Sequence, residues 1–222
     1  MPRISRAVAI GFPHHVTQRG NYRRGVFEKE HDYLLYMEWL VNYSRKYSLK
    51  ISAYCLMGNH VHFITVPMEP DSMAKTFNTL HMRYSQHINK RHNVSGHLWQ
   101  GRFFSCALDE GHLYSGIRYV ENNPVRAKIT NKADEYRWSS ARSHMHGTVD
   151  PVLSNDCPMI ETVADWSAYL VEREDGRMTE AIRQNTRTGR PCGGGKFVLR
   201  IEKLLSRSLN AMPRGRPQTS TH

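Results

Sequence analysis

Hydrophobic and polar positions alternate in "HHVTQRG" (14–20), which predicts a first strand that ends at Gly20 and runs into a basic loop, "GNYRRG". Between His31 and Leu49 the spacing changes. Tyr33, Met37, Leu40, Val41, Ser44 and Tyr47 recur at helical intervals and predict an amphipathic helix. "KISAYCLM" (50–57) and "HVHFITVP" (60–67) are β-rich runs separated only by Gly58-Asn59, a dipeptide suited to a hairpin turn. Residues 70–93 open on Asp71 or Ser72 as N-cap and continue as a second helix. "HLWQGRFFSCAL" (97–108) predicts a fourth strand, interrupted at Gly101. Residues 109–124 predict a third helix, which Pro124 should end at about Asn122 or Asn123.

Strand, helix, strand, strand, helix, strand, then an extra helix is the order of the split βαβ, ferredoxin-like fold. The expected class is α+β, an antiparallel sheet with helices on one face. A further short helix is expected around residues 138–147. The expected division is a domain over 1–147, an acidic and mostly helical extension over 148–186, and a basic segment over 187–222. That last segment reads as a Gly-rich linker, an amphipathic helix (197–209) and a tail without apolar content.

Charge sharpens this picture. The net charge is +11, with 20 basic against 11 acidic residues over 1–149, 2 against 8 over 150–180, and 8 against 1 over 187–222. Basic blocks at both ends of the chain point to a polyanionic partner, most simply nucleic acid. No run approaches the length of a membrane span, and the N-terminus lacks the features of a signal peptide. The cysteines, Cys55, Cys106, Cys157 and Cys192, are scattered without a CxxC pair, which fits a reduced cytoplasmic protein better than a disulfide scaffold.

Within the third strand, His60 and His62 stand one residue apart, so both imidazoles point to one face and Val61 to the other. Two neutral imidazoles converging on one spot suit a metal ion. On the third helix, Leu113, Ile117 and Val120 form the apolar stripe. Tyr119 falls about 120° from its centre, and Asn123, four residues on, shares Tyr119's edge. A phenol and a neutral carbonyl oxygen thereby lie side by side. Tyr114 is the alternative tyrosine, with Arg118 rather than an amide at i+4.

"GNHVHFI" followed about sixty residues later by "YVENNPVRA" resembles the single-tyrosine HUH transposases, and most of all the REP-associated tyrosine transposases of bacteria. "HHVTQRGNYRRGVF", "LWQGRFFS", "YRWSSARSHMHG" and "TGRPCGGGKFVLRIEKLLSRSL" extend the resemblance over nearly the whole chain. It implies that His60 and His62 are metal ligands, that Asn123 supplies a third, and that Tyr119 is the nucleophile, which makes the added helix catalytic. Where related insertion-sequence transposases often carry Gln, this chain has the shorter Asn123 with the same amide oxygen. An imidazole-plus-amide set with open positions suits Mg²⁺ or Mn²⁺, although Zn²⁺ can bind more tightly. His112, one helical repeat before Tyr119, is a candidate for the base.

The implied activity is metal-dependent cleavage and rejoining of single-stranded DNA through a 5′-phosphotyrosine, on hairpin-forming repetitive extragenic palindromes (REP or BIME-type repeats). Such an enzyme works at the nucleoid, and a monomer is favoured over a dimer that exchanges the tyrosine helix. The alternatives are another HUH nuclease (a relaxase or replication initiator) and a non-cleaving DNA-binding regulator. The expected DNA contacts are Arg19, Arg23 and Arg24 on the first loop, and Trp99, Gln100 and Arg102 as a stacking surface, an amide and a cation. Arg190 in the basic segment and Arg214 and Arg216 in "PRGRP", which matches the core of an AT-hook, complete the set.

Overall fold

Four strands, β1 (His14–Arg19), β2 (Leu49–Met57), β3 (His60–Pro67) and β4 (Phe104–Ala107), form one antiparallel sheet in the order β2-β3-β1-β4. This is the ferredoxin-like order, in which a strand entering after a helix returns beside the first. Met57 pairs with His60, so Gly58 and Asn59 alone make the turn between β2 and β3. The computed structural model describes residues 6–156, 163–172 and 175–209.

Helices α1 (Glu30–Lys46) and α2 (Ser72–His92) pack together on one face of the sheet. There Val16, Leu56, Val61 and Phe63 meet Tyr36, Leu40, Phe77, Leu80 and Tyr84. On the opposite face, α3 (Glu110–Glu121) seats Leu113, Ile117 and Val120 against Ala53, Cys55, Ile64 and Leu108. The sheet is therefore covered on both faces, where the element order predicts one. Burial at every position of β2 from Ile51 to Met57 is the corresponding signature, because a strand covered on both sides has no wet face to alternate with.

Beyond α3 the chain forms α4 (Asn123–Arg126), α5 (Ala141–His146), α6 (Trp166–Val171), α7 (Gly176–Thr188) and α8 (Gly195–Leu205). The third helix stops at Glu121, and Asn123 opens α4 with Pro124 in its first turn, where a missing N–H costs nothing. α7 packs against α3, β4 and β1, with Ile182 fully buried.

Two stretches differ from their sequence-based expectation. Residues 97–103 are not strand: Gly96 and Gly101 take φ of +114° and +143°, and only Trp99 bridges to Gly20. The Gly-rich stretch after α7, linker-like by composition, is held at the edge of β4. Cys192 N donates to Ala107 O (2.7 Å), and Gly194 N donates to Asp109 Oδ2 (2.9 Å). A Cβ on Gly193 would come within 2.6 Å of that carboxylate and 2.5 Å of the Phe197 ring, so this glycine serves close approach. Among the described residues no helix is long and apolar enough to cross a membrane.

Candidate active site

Strand alternation places Val61 and Phe63 under α1 and α2, which turns His60 and His62 toward α3. Their ring centroids are 5.1 Å apart. His60 Nδ1 lies 2.6 Å from Asn59 Oδ1, and Asn59 Nδ2 donates to Arg23 O at 3.0 Å. With the amide nitrogen so engaged, Asn59 offers its oxygen, His60 donates from Nδ1, and the Nε2 lone pair of His60 is left free. His62 Nδ1 lies 2.9 Å from His15 Nε2 on β1.

Burial, reinforced by the Arg19 and Arg126 charges, pushes His60 down to about 4. The same burial, followed by neighbouring His15 and His60 and then by Arg126 and Arg19, holds His62 well below the usual histidine value. Both imidazoles are thus neutral at pH 7, the form a metal requires.

Tyr119 stands edge-on to both buried histidines, its ring centroid 5.6 Å from that of His62 and 5.7 Å from that of His15. The apolar stripe of α3 lies where the sequence predicts it, yet Tyr119 is only 6% exposed. Its off-stripe face is covered from outside the helix. The Arg126 guanidinium lies 4.2 Å from the ring centroid, and Arg183 of α7 lies 5.3 Å from it. Arg183 Nε makes a long hydrogen bond, 3.5 Å, to the Tyr119 hydroxyl. Asn123 Nδ2 donates to the carbonyls of Tyr119 (3.1 Å) and Val120 (3.3 Å), which leaves the amide oxygen as the end open to another partner.

The remaining residues singled out in the sequence divide sharply. His112 is held at the far end of α3 by the N-cap carboxylate of Asp109 (2.6 Å), about 10 Å along the helix from Tyr119, out of reach as a base. Tyr114 packs edge-on to Tyr169 of α6, away from the histidines. Trp99 is 6% exposed among His81, Tyr36 and Tyr84, and its indole N–H donates to His81 O, so it is a core residue without a surface face for stacking. Gln100 and Arg102 are exposed beside it, as are Arg19 at the end of β1 and Arg23 and Arg24 on the loop that follows. Arg190 Nε donates to Leu209 O (3.1 Å). Arg214 and Arg216 lie outside the described residues.

Three residues at the site were not anticipated. His15 shares the face of β1 with Thr17 and Arg19, and only the register of β1 on β3 brings it to His62. Arg126 stands seven residues after Tyr119, a spacing that could have flagged it. Arg183 arrives from another element and left no local signal. Among the described residues no three His, Cys, Asp or Glu side chains form a metal cage, and the donors that the sequence singles out are two imidazoles and an amide. That set fits a divalent ion: the imidazoles are neutral, the Nε2 of His60 is unengaged and the amide oxygen of Asn123 is open.

Comparison with curated proteins finds no match. The structure is similar to a solved structure described as a REP-associated tyrosine transposase bound to a REP hairpin. The TM-score is 0.57 at 18% identity, over 71% of this chain and 93% of that one. At that identity the likeness establishes the fold. The profile of the family described as "Transposase IS200 like" matches residues 11–123, half of the chain, and includes β1, both strand histidines, Tyr119 and Asn123. This chain therefore belongs to the IS200-like transposase family.

Proposed function

We propose that this protein is a metal-dependent, single-strand DNA endonuclease and strand transferase that acts on hairpin-forming repeats through Tyr119. The observation that carries the proposal is one phenol ring 5.6 Å from His62, itself 5.1 Å from His60, with the Arg126 and Arg183 guanidinium groups over that phenol and the Arg19 charge acting on His60. The hairpin is the bound partner named for the structurally similar protein, and the basic balance of this chain suits the same class of ligand.

His60, His62 and Asn123 would hold a divalent ion, Mg²⁺ or Mn²⁺. When bound, that ion supplies charge neutralisation and orientation to the scissile phosphate. The rest belongs to the chain. Arg19 and Arg126 provide a positive field in which a phosphodiester is drawn to the site. Arg126 and Arg183 fix the Tyr119 ring, and Arg183 faces the oxygen on which negative charge develops as the phenol loses its proton. Tyr119 Oη then attacks phosphorus, the P–O3′ bond breaks, and the 3′ oxygen leaves with a proton as a free hydroxyl. The 5′-phosphotyrosine retains the bond energy, so attack by a 3′-hydroxyl reverses the step and rejoins strands without ATP. α3 folds Tyr119 against the histidines of its own chain, which supports a monomer as the working unit.

The test is incubation with labelled single-stranded repeat hairpins and Mn²⁺, resolved on a denaturing gel. Wild type should yield a cut strand and a protein–DNA adduct. His60→Ala and His62→Ala should yield neither while retaining most hairpin affinity, because phosphate contacts elsewhere supply it. Cutting at the wild-type rate by both histidine variants in metal-buffered solution would overturn the proposal. Binding without any cutting by the wild type would instead favour the non-cleaving regulator.

A further inference from the structure

We propose that Thr186 on α7 and His15 on β1 are positioning residues for His62, so that the metal site of this chain is completed by a helix beyond the family-matched residues 11–123. The inference rests on His60 and His62 being metal ligands. It adds that one of them is oriented by a relay of hydrogen bonds that begins on α7.

The relay has a defined direction. Thr186 Oγ1 donates to Ile182 O at 2.6 Å, a bond back into its own helix that uses its only proton. Toward His15 Nδ1, 2.7 Å away, that oxygen can then only accept, so His15 carries its proton on Nδ1. His15 Nε2 is left as an acceptor, and its neighbour at 2.9 Å is His62 Nδ1, which must donate. One tautomer of His62 satisfies all three bonds: proton on Nδ1, lone pair on Nε2. That is the arrangement in which a ligating imidazole presents one nitrogen to a metal while the other is held from behind.

Reversing the chain would require Thr186 to donate to His15 and give up its 2.6 Å bond to the Ile182 carbonyl, which would then keep only its helical N–H partner. Cys106 Sγ lies 3.1 Å from the same hydroxyl oxygen and can donate its S–H there without disturbing the order. Thr186, His15 and His62 are 2%, 1% and 5% exposed, so solvent has little access through which to replace a broken link. His15 and His62 also lie nearly parallel, at 16° and 5.1 Å between centroids, which fixes the ring plane as well as the tautomer. α7 is itself anchored. Ile182 is buried among the residues beneath α3, and the chain after the helix is bonded to β4 through Cys192.

The same geometry accounts for an asymmetry between the two ligands. His60 takes its orientation locally, from Asn59 in the hairpin turn, and would be formed by the matched segment alone. His62 takes it from an element more than a hundred residues away in sequence.

The experiment uses the full chain and measures Mn²⁺ affinity by titration calorimetry, with hairpin affinity in EDTA as a control. Thr186→Val, which keeps the shape and removes the hydroxyl, should weaken Mn²⁺ binding about 10–100-fold, the usual effect of losing such a supporting contact. Thr186→Ser should restore affinity close to wild type, and all variants should bind the hairpin equally in EDTA. His15→Leu breaks the relay at its other link and should reproduce the loss, which guards against a folding defect peculiar to position 186. Independently, ¹⁵N NMR of the metal-free wild type should show His62 protonated at Nδ1. If His62→Ala loses Mn²⁺ while Thr186→Val and His15→Leu bind it like wild type, or if His62 carries its proton on Nε2, the relay is overturned and the metal site stands. If His62→Ala also binds Mn²⁺ like wild type, the metal reading falls and the relay with it.

Discussion

The Tyr119 hydroxyl has one long hydrogen bond, 3.5 Å to Arg183 Nε, while its ring is held by Arg126 and by two imidazole edges. Tyr119→Phe therefore keeps nearly all the packing and should cost at most about 1 kcal/mol of stability. It should nevertheless abolish both strand cleavage and the covalent adduct, seen as loss of the shifted band in denaturing electrophoresis. Tyr114→Phe, on the side of α3 that faces Tyr169, should retain both. An undiminished adduct in the Tyr119 variant would move the nucleophile elsewhere. Arg183→Ala asks a different question at the same atom. Losing a cation aimed at developing negative charge should slow single-turnover cleavage by on the order of 10²-fold with little change in hairpin affinity. Equal loss of binding and rate would make Arg183 a plain phosphate contact.

Among the elements, α7 has the greatest leverage for its size. Ile182→Ala removes a fully buried side chain between α7 and the residues under α3, and should destabilise the protein by about 2–5 kcal/mol. Because Arg183 and Thr186 ride on the same helix, activity should fall before global unfolding, which parallel denaturant and cleavage titrations can separate. The segment after residue 209 makes a contrasting case. Deleting residues 210–222 removes Arg214 and Arg216 and no described contact of the site. Hairpin binding should weaken, and the slope of log K against log salt should become shallower by about 1–2 if both arginines meet phosphates. An unchanged slope would show that neither does.

Across the whole molecule, several buried histidines are kept neutral. Burial pushes His14 down to about 4, and His15 and His81 down to about 3, the last with its Nε2 against the Tyr36 hydroxyl at 2.9 Å. Each is depressed below its unfolded value of 6.5, so between about pH 6.5 and 3–4 the unfolded chain binds more protons than the folded one. Their contribution to stability is full above pH 6.5 and is lost as pH falls through that window. Urea midpoints should decline steadily from pH 7 to pH 4, and His81→Gln should flatten part of the decline. A midpoint independent of pH across that range would contradict the buried, neutral assignment.

The chain by itself determined whatever depends on neighbours in sequence. The two-residue turn at Gly58-Asn59, the shared face of His60 and His62, the spans of α1 and α2 and the apolar stripe of α3 follow from periods of two and 3.6 and from turn chemistry. Tertiary structure decided what depends on register and on docking. The pairing of β1 with β3 brought His15 to His62, and α7 supplied Arg183 and closed over Tyr119, whose position off the stripe had no bearing on its burial. Trp99 went inward because its ring packs among Tyr36 of α1 and His81 and Tyr84 of α2, neighbours that are distant in sequence. Local patterns fix which way a side chain leaves the backbone, whereas its neighbours are set by the free energy of packing distant segments together, which no short window of sequence contains.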